Sequence, residues 1–107
     1  MTTEQIHTDQ PSLLIVDDDS VFCEVLSEAL SKRGYSVSMA HNVDNGIQLA
    51  KKEPPEFAVV DLKMPGKSGL EMVSELKNLD EHTRIVVLTG YASIATAVEA
   101  ITLGAIH

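Results

Sequence analysis

Apolar residues along this chain fall into short solid runs, separated by segments in which they recur every three or four positions. The runs in "SLLIVD", "FAVVD" and "RIVVLTG" are each about four residues of branched or aromatic side chains, a pattern that predicts strands buried on both faces. "YSVSMA" alternates instead and suits a less buried, edge-type strand. In "DSVFCEVLSEALSKRG" the positions Val21, Phe22, Val25, Leu26, Ala29 and Leu30 repeat at helical spacing. Asp19 or Ser20 can cap that helix, and Gly34 after Lys32 and Arg33 ends it with cations in its last turn. "NVDNGIQLAKKE" predicts a second helix with Asn42 as N-cap, stopped by Pro54 and Pro55. Ser68 can cap a third, "GLEMVSELKNL". "YASIATAVEAITLG" reads as a fourth, with Ile94, Ala97, Val98 and Ile101 on one face and Gly104 at its end. Residues 1–11 are polar, aperiodic and closed by Pro11, which reads as a flexible leader before one domain spanning 12–107.

Strands and helices therefore alternate from end to end. Such an order predicts an α/β fold, a doubly wound parallel sheet with helices on both faces. Right-handed crossovers bring the C-terminal end of every strand to one rim. In the flavodoxin-like strand order 2-1-3-4, the first and third strands are neighbours at the switch point, where ligands bind.

Composition narrows the function classes. The 107 residues suffice for one domain, and 44% hydrophobic with 22% charged residues is ordinary for a globular chain. The formal net charge of −8 and an aromatic content of 4% argue against direct nucleic-acid binding, which needs a basic face or a stacking platform. No apolar run approaches the roughly 20 residues that cross a bilayer, and no secretory signal is visible, so the expectation is a cytoplasmic protein without membrane contact. Cys23, the single cysteine, falls among apolar neighbours and reads as a small buried hydrophobe. His7, His41, His82 and His107 are scattered and read as surface residues.

The chemistry lies at the strand ends. The first strand runs into Asp17, Asp18 and Asp19, the third into Asp61, and the fourth into Thr89 followed by Gly90. A lone aspartate after a strand is usually a helix cap or a turn former, which fits Asp19. Asp17, Asp18 and Asp61 converging on one rim need more. Carboxylates sharing a site cannot all ionise cheaply, so a proton or a cation must be bound. An all-oxygen cluster favours a hard ion, and Mg2+ fits best because it takes one or two carboxylates and leaves room for a phosphoryl oxygen. An aspartate beside such an ion can act as a nucleophile towards phosphorus, and Thr89 could bond to the transferred group.

The stretches "LLIVDDDSVF", "AVVDLKMPGKSGLE" and "IVVLTGYASIATAVEAITLGA" resemble the receiver domain of bacterial two-component response regulators. The wording is most similar to the redox-responsive global regulators of the RegA/PrrA/ActR group. The resemblance implies that Asp61 accepts a phosphoryl group from a histidine of a sensor kinase. It implies Mg2+ held by Asp17, Asp18, Asp61 and the backbone carbonyl of Lys63, and Thr89 as a switch hydroxyl. Pro65 and Gly69 would shape the loop after the phosphoacceptor, and Tyr91, just behind the switch, reads as partial core packing. The implied role is signalling and not conventional enzymatic turnover, with control over a transcriptional output domain absent from this sequence.

Receivers continue past "LGA" with a fifth strand, a lysine followed by a proline, and a fifth helix, whereas this sequence stops at His107. The expectation is a receiver truncated before its fifth strand. None of Lys51, Lys52, Lys63, Lys67 and Lys77 lies at the end of a buried strand to replace the missing lysine. Loss of such a charge stabiliser costs roughly 2.7–4 kcal/mol in the transition state, by analogy with lost oxyanion donors. A truncated receiver would also expose the edge of its fourth strand to self-association. Two other readings remain beside the phosphoacceptor. One is a phosphorylation-incompetent receiver fragment that acts only as an interaction or dimerisation module. The other is an Asp-nucleophile phosphatase, whose Asp-x-Asp spacing Asp17 to Asp19 permits but whose cap and later lysine segments the sequence lacks.

Overall fold

Strands with apolar side chains on both faces need a cover on each side, and the arrangement of helices supplies it. The computed structural model describes residues 10–88 and 94–104. Its strands are β1 (Ser12–Val16), β2 (Ser36–Ala40), β3 (Phe57–Asp61) and β4 (Arg84–Leu88), alternating with α1 (Ser20–Lys32), α2 (Val43–Lys52), α3 (Gly69–Leu79) and α4 (Ile94–Gly104). The strands form one sheet in the order β2-β1-β3-β4, and all three pairings are parallel. This is the doubly wound α/β architecture and the strand order that the periodicity predicts.

Side-chain alternation divides the core in two. Leu13, Ile15, Phe57 and Val59 pack on one face with Cys23, Leu26 and Leu30 of α1 and with Ala97, Val98 and Ile101 of α4. Leu14, Val16, Ala58 and Val60 pack on the other with Val43 and Ala50 of α2 and Met72 and Leu76 of α3. β1 and β3 are thereby buried on both sides, while β2, an edge strand, buries only Ala40 fully.

β4 departs from its sequence pattern, which predicts burial throughout. Ile85 and Val86 are half-buried, Val87 is 40% exposed, and Leu88 alone is buried. The reason is position. Among the described residues β4 has β3 as its single strand neighbour, so it lies at an edge of the sheet.

Helix ends follow their sequence signals. Asp19, Asn42 and Ser68 accept N–H bonds from Phe22, Asn45 and Leu70 as N-caps of α1, α2 and α3. Past α1, Gly34 takes φ +99°, so that its own N–H reaches Ser31 O and that of Tyr35 reaches Leu30 O, closing a left-handed stop. At the lower end of the sheet, Tyr35 packs edge-on against Phe57 at 5.4 Å, and the Arg84 guanidinium lies 5.9 Å from the Phe57 ring centre.

Gly69 is set by a close approach. It is the first residue of α3, and a Cβ there would stand 2.2 Å from the Asp61 carbonyl oxygen and 2.9 Å from Leu62 Cα. Both obstacles are backbone of the strand end that carries Asp61, so neither can yield as a side-chain tip would. Gly69→Ala is expected to destabilise the fold by about 1–3 kcal/mol, the usual cost of overpacking, read as a fall in the urea midpoint at constant m-value. An unchanged midpoint would show that α3 does not press on this strand end.

Candidate functional site

The register of the sheet determines which acids meet. Val16 pairs with Val60 across β1 and β3, so Asp17 and Asp61 come next, side by side, at the C-terminal rim. Each strand end is anchored to the strand on its other side. The Asp17 N–H donates to Ala40 O and the Leu62 N–H to Leu88 O, both at 3.0 Å.

The two loops use the same device on their aspartates. Asp17 Oδ1 accepts the N–H of Asp19 at 2.9 Å, and Asp61 Oδ1 accepts the N–H of Lys63 at 3.0 Å. Each carboxylate is thus oriented by the backbone two residues on. Asp17 and Asp61 are 6% and 8% exposed, whereas Asp18 is exposed. Asp17, Asp18 and Asp61 each offer an oxygen, and these atoms all lie within 4.8 Å of one another. Asp19 stands apart as the cap of α1. The acids line a cleft of about 400 Å3, completed by Asp19, Phe22, Lys63 and Leu88.

The cost of enclosure falls on Asp17. Burial pushes the Asp17 carboxyl from 3.8 up to about 6; the Asp19 N–H opposes the shift, and the charges of Asp61, Asp18 and Asp19 add to it. This donor set is all carboxylate oxygen, crowded and partly desolvated, and it suits a small hard divalent cation.

Other residues are settled by their partners. The Cys23 thiol is buried and donates to Asp17 O at 3.3 Å; burial, followed by the charges of Asp17 and its neighbours, pushes it up to about 12, so it behaves as core. Lys67 is held by Asp44 at 2.7 Å, and Lys77 donates to Thr83 O and Glu81 O, so neither reaches the acids. Lys63 lines the cleft through an exposed residue. Pro65 is exposed on the same loop, and Gly69 is buried against its base. Thr89, Gly90 and Tyr91, as well as His7 and His107, lie outside the described residues. His41, read from the sequence as a surface residue, is exposed, but its Nδ1 stands 3.0 Å from the Asp17 carbonyl oxygen. The signal was its place, one residue past the end of β2 and level with Asp17.

The raised Asp17 has a thermodynamic consequence with a definite sign. Its folded value lies above its unfolded one, so the unfolded chain gives up the proton first, and folding stability falls as pH rises from about 4 to above 6. Asp17→Asn is therefore expected to stabilise the protein at pH 7.5 in EDTA and to have much less effect at pH 4. Urea midpoints at the two pH values measure this. A substitution that lowered the midpoint at pH 7.5 in EDTA would count against a strained cluster.

Comparison with known proteins agrees with the geometry. Residues 13–107 match the family model described as the response regulator receiver domain. The chain is 47% identical over 95 residues to the acid tolerance regulatory protein ActR of Rhizobium meliloti, covering 89% of this chain and 49% of that protein. It is equally identical over 97 residues to the photosynthetic apparatus regulatory protein RegA of Rhodovulum sulfidophilum, covering 91% and 53%. The chain thus spans about half the length of these curated relatives. Among solved structures it is similar to a response regulator from Burkholderia pseudomallei with a phosphorylated aspartic acid, a calcium ion and citrate, at 46% identity and a TM-score of 0.73, covering 87% of this chain and 55% of that one. A CheY-like receiver domain from Methanospirillum hungatei aligns at 28% identity and a TM-score of 0.74, covering 90% and 77%. Sequence and fold together make this chain a member of the response regulator receiver domain family.

Proposed function

We propose that this receiver is a phosphoacceptor, taking a phosphoryl group on Asp61 from a phosphohistidine of a sensor kinase. The observation that carries the reading is the pairing of Asp17 and Asp61, each with one oxygen fixed by its own loop N–H, in a cluster where Asp17, Asp18 and Asp61 each bring an oxygen within 4.8 Å of the others. Asp17, Asp18 and Asp61 would hold Mg2+, with the Lys63 carbonyl as a further ligand. The ion, when bound, neutralises charge on the transferring phosphoryl oxygens.

The chain's own residues supply position. The Lys63 N–H fixes the Asp61 carboxylate through Oδ1, and an oxygen of that carboxylate is the nucleophile. That oxygen forms the new O–P bond as the P–N bond to the kinase imidazole breaks, and the electron pair returns to the imidazole nitrogen. Thr89, which follows β4 directly, would then bond a phosphoryl oxygen and report the change to the loop before α4. The output would be transcriptional control through sequence outside these 107 residues, in line with the regulatory proteins ActR and RegA. None of the described helices is long and apolar enough to cross a membrane.

A second reading, an interaction module that takes no phosphate, draws on the outer edge of β4, where Val87 is exposed and no further strand pairs among the described residues. Light scattering over a concentration series addresses it. The edge reading expects association that rises with concentration and is lost on Val87→Lys, and a monomer at every concentration counts against it.

The phosphoacceptor reading is tested by intact-mass spectrometry after incubation with acetyl phosphate and Mg2+. A single phosphoryl adduct is expected on the unsubstituted chain and none on Asp61→Asn or in EDTA. No adduct on the folded protein would leave the interaction module as the function, and an adduct that persists in Asp61→Asn would place the nucleophile elsewhere.

A further inference from the structure

Asp17 is the most enclosed acid of the cluster, and its backbone is held by more than the sheet ladder. β1 and β2 pair in parallel up to Val16 and Ala40, and the Asp17 N–H extends the ladder by donating to Ala40 O at 3.0 Å. In a parallel ladder continued by one residue, the N–H of residue 42 would next reach the Asp17 carbonyl. The chain does not continue as a strand, because Asn42 turns it into the N-cap of α2. The His41 imidazole takes the vacant place, with Nδ1 3.0 Å from Asp17 O. From the helix side, the Cys23 thiol donates to the same oxygen at 3.3 Å.

A carbonyl oxygen can only accept, so Nδ1 carries the proton and Nε2 is left for solvent. The donor is present whether or not Nε2 is also protonated. The geometry points to His41 as a positioning residue for the metal site: its Nδ1–H pins the Asp17 carbonyl, so the Asp17 carboxylate stays turned towards Asp18 and Asp61. The reason such a clamp is needed is electrostatic. Asp17 is pressed by neighbouring negative charge, and its peptide lies where β2 ends and no further strand N–H restrains it. Without the imidazole, the strand end can rotate to relieve the repulsion, and the three ligand oxygens no longer stand within reach of one ion. This inference rests on the reading of the acid cluster as a Mg2+ site.

The test combines an imidazole signature on the metal-free protein with Mg2+ titration of three variants. Long-range 1H–15N correlation, assigned by the resonance lost in His41→Asn, is expected to show His41 with its proton on Nδ1. In calorimetric titration, His41→Ala is expected to weaken Mg2+ binding about tenfold, the lower end of what loss of a ligand-orienting partner costs. His41→Asn, whose amide nitrogen stands where Nδ1 does, should recover most of that loss. His41→Gln, whose amide reaches the Nε2 position instead, should not. Should His41→Ala fail to fold, the Asn and Gln variants still decide the matter.

A His41 protonated on Nε2 alone would overturn the clamp. So would an Ala variant that loses urea stability but binds Mg2+ as tightly as the unsubstituted chain, since that is a strand staple and nothing more. Equal binding by the Asn and Gln variants would overturn it as well. Failure of the unsubstituted protein to bind Mg2+ while the Nδ1–H signature is intact would overturn the metal-site reading on which the proposal stands.

Discussion

Carboxylates at the C-terminal rim of a parallel sheet have little freedom to avoid one another. β1 and β3 are adjacent and in register, so Asp17 and Asp61 leave the sheet side by side, and each backbone is tied to the strand on its outer flank. Moving either acid away would break ladder bonds; neutralising it requires a proton or a cation. Asp17 shows the consequence: burial raises its carboxyl, and the neighbouring charges, that of Asp61 first among them, add to the shift. The rest of the site is arranged around keeping both acids where they repel.

The supports come from every element that ends or begins at the rim. α1 starts immediately after the acids and takes Asp19 as its cap, which moves one of the four carboxylates out of the cluster and into helix termination. α3 begins against the Asp61 carbonyl, and only a glycine at position 69 allows that approach. Further along the same loop, Lys67 reaches across to Asp44 at the start of α2. That pair is exposed and weak in itself, and it links the loop to the first turn of α2. The core beneath is divided by the pleat into two clusters, one for α1 and α4 and one for α2 and α3. Force on the rim therefore meets packed side chains on both faces.

In the proposed phosphoacceptor function, this arrangement connects stability to signalling. A centre strained in the absence of an ion gains stability when one binds, because the ligand oxygens already stand close together. Phosphoryl transfer needs positioning and charge neutralisation more than covalent assistance. A rigid pair of strand-end carboxylates, each with one oxygen held by its own backbone, supplies the first and creates the demand for the second.

Much of this was legible in the sequence because it depends on local patterns. The short apolar runs gave the strands, helical spacing gave the helices, and Asp19, Asn42, Ser68 and Gly34 marked ends that the structure uses in those roles. Alternation of strand and helix implied a parallel sheet, and a parallel sheet carries Asp17, Asp18 and Asp61 to one edge. Other features depend on neighbours that no local window contains. β4 reads as fully buried because its residues are apolar, yet its exposure follows from lying at the edge of the sheet. Gly69 reads as a helix start, and its real constraint is the Asp61 carbonyl eight positions earlier. His41 reads as surface, and it meets Asp17 only because β2 pairs with β1 in one particular register. Sequence by itself determined which elements form and which acids share a rim, since both follow from periodicity and chain order. Tertiary structure alone decided the distances between those acids, the ionisation of Asp17 and the partner of its carbonyl, because each depends on which strand lies beside which and in what register.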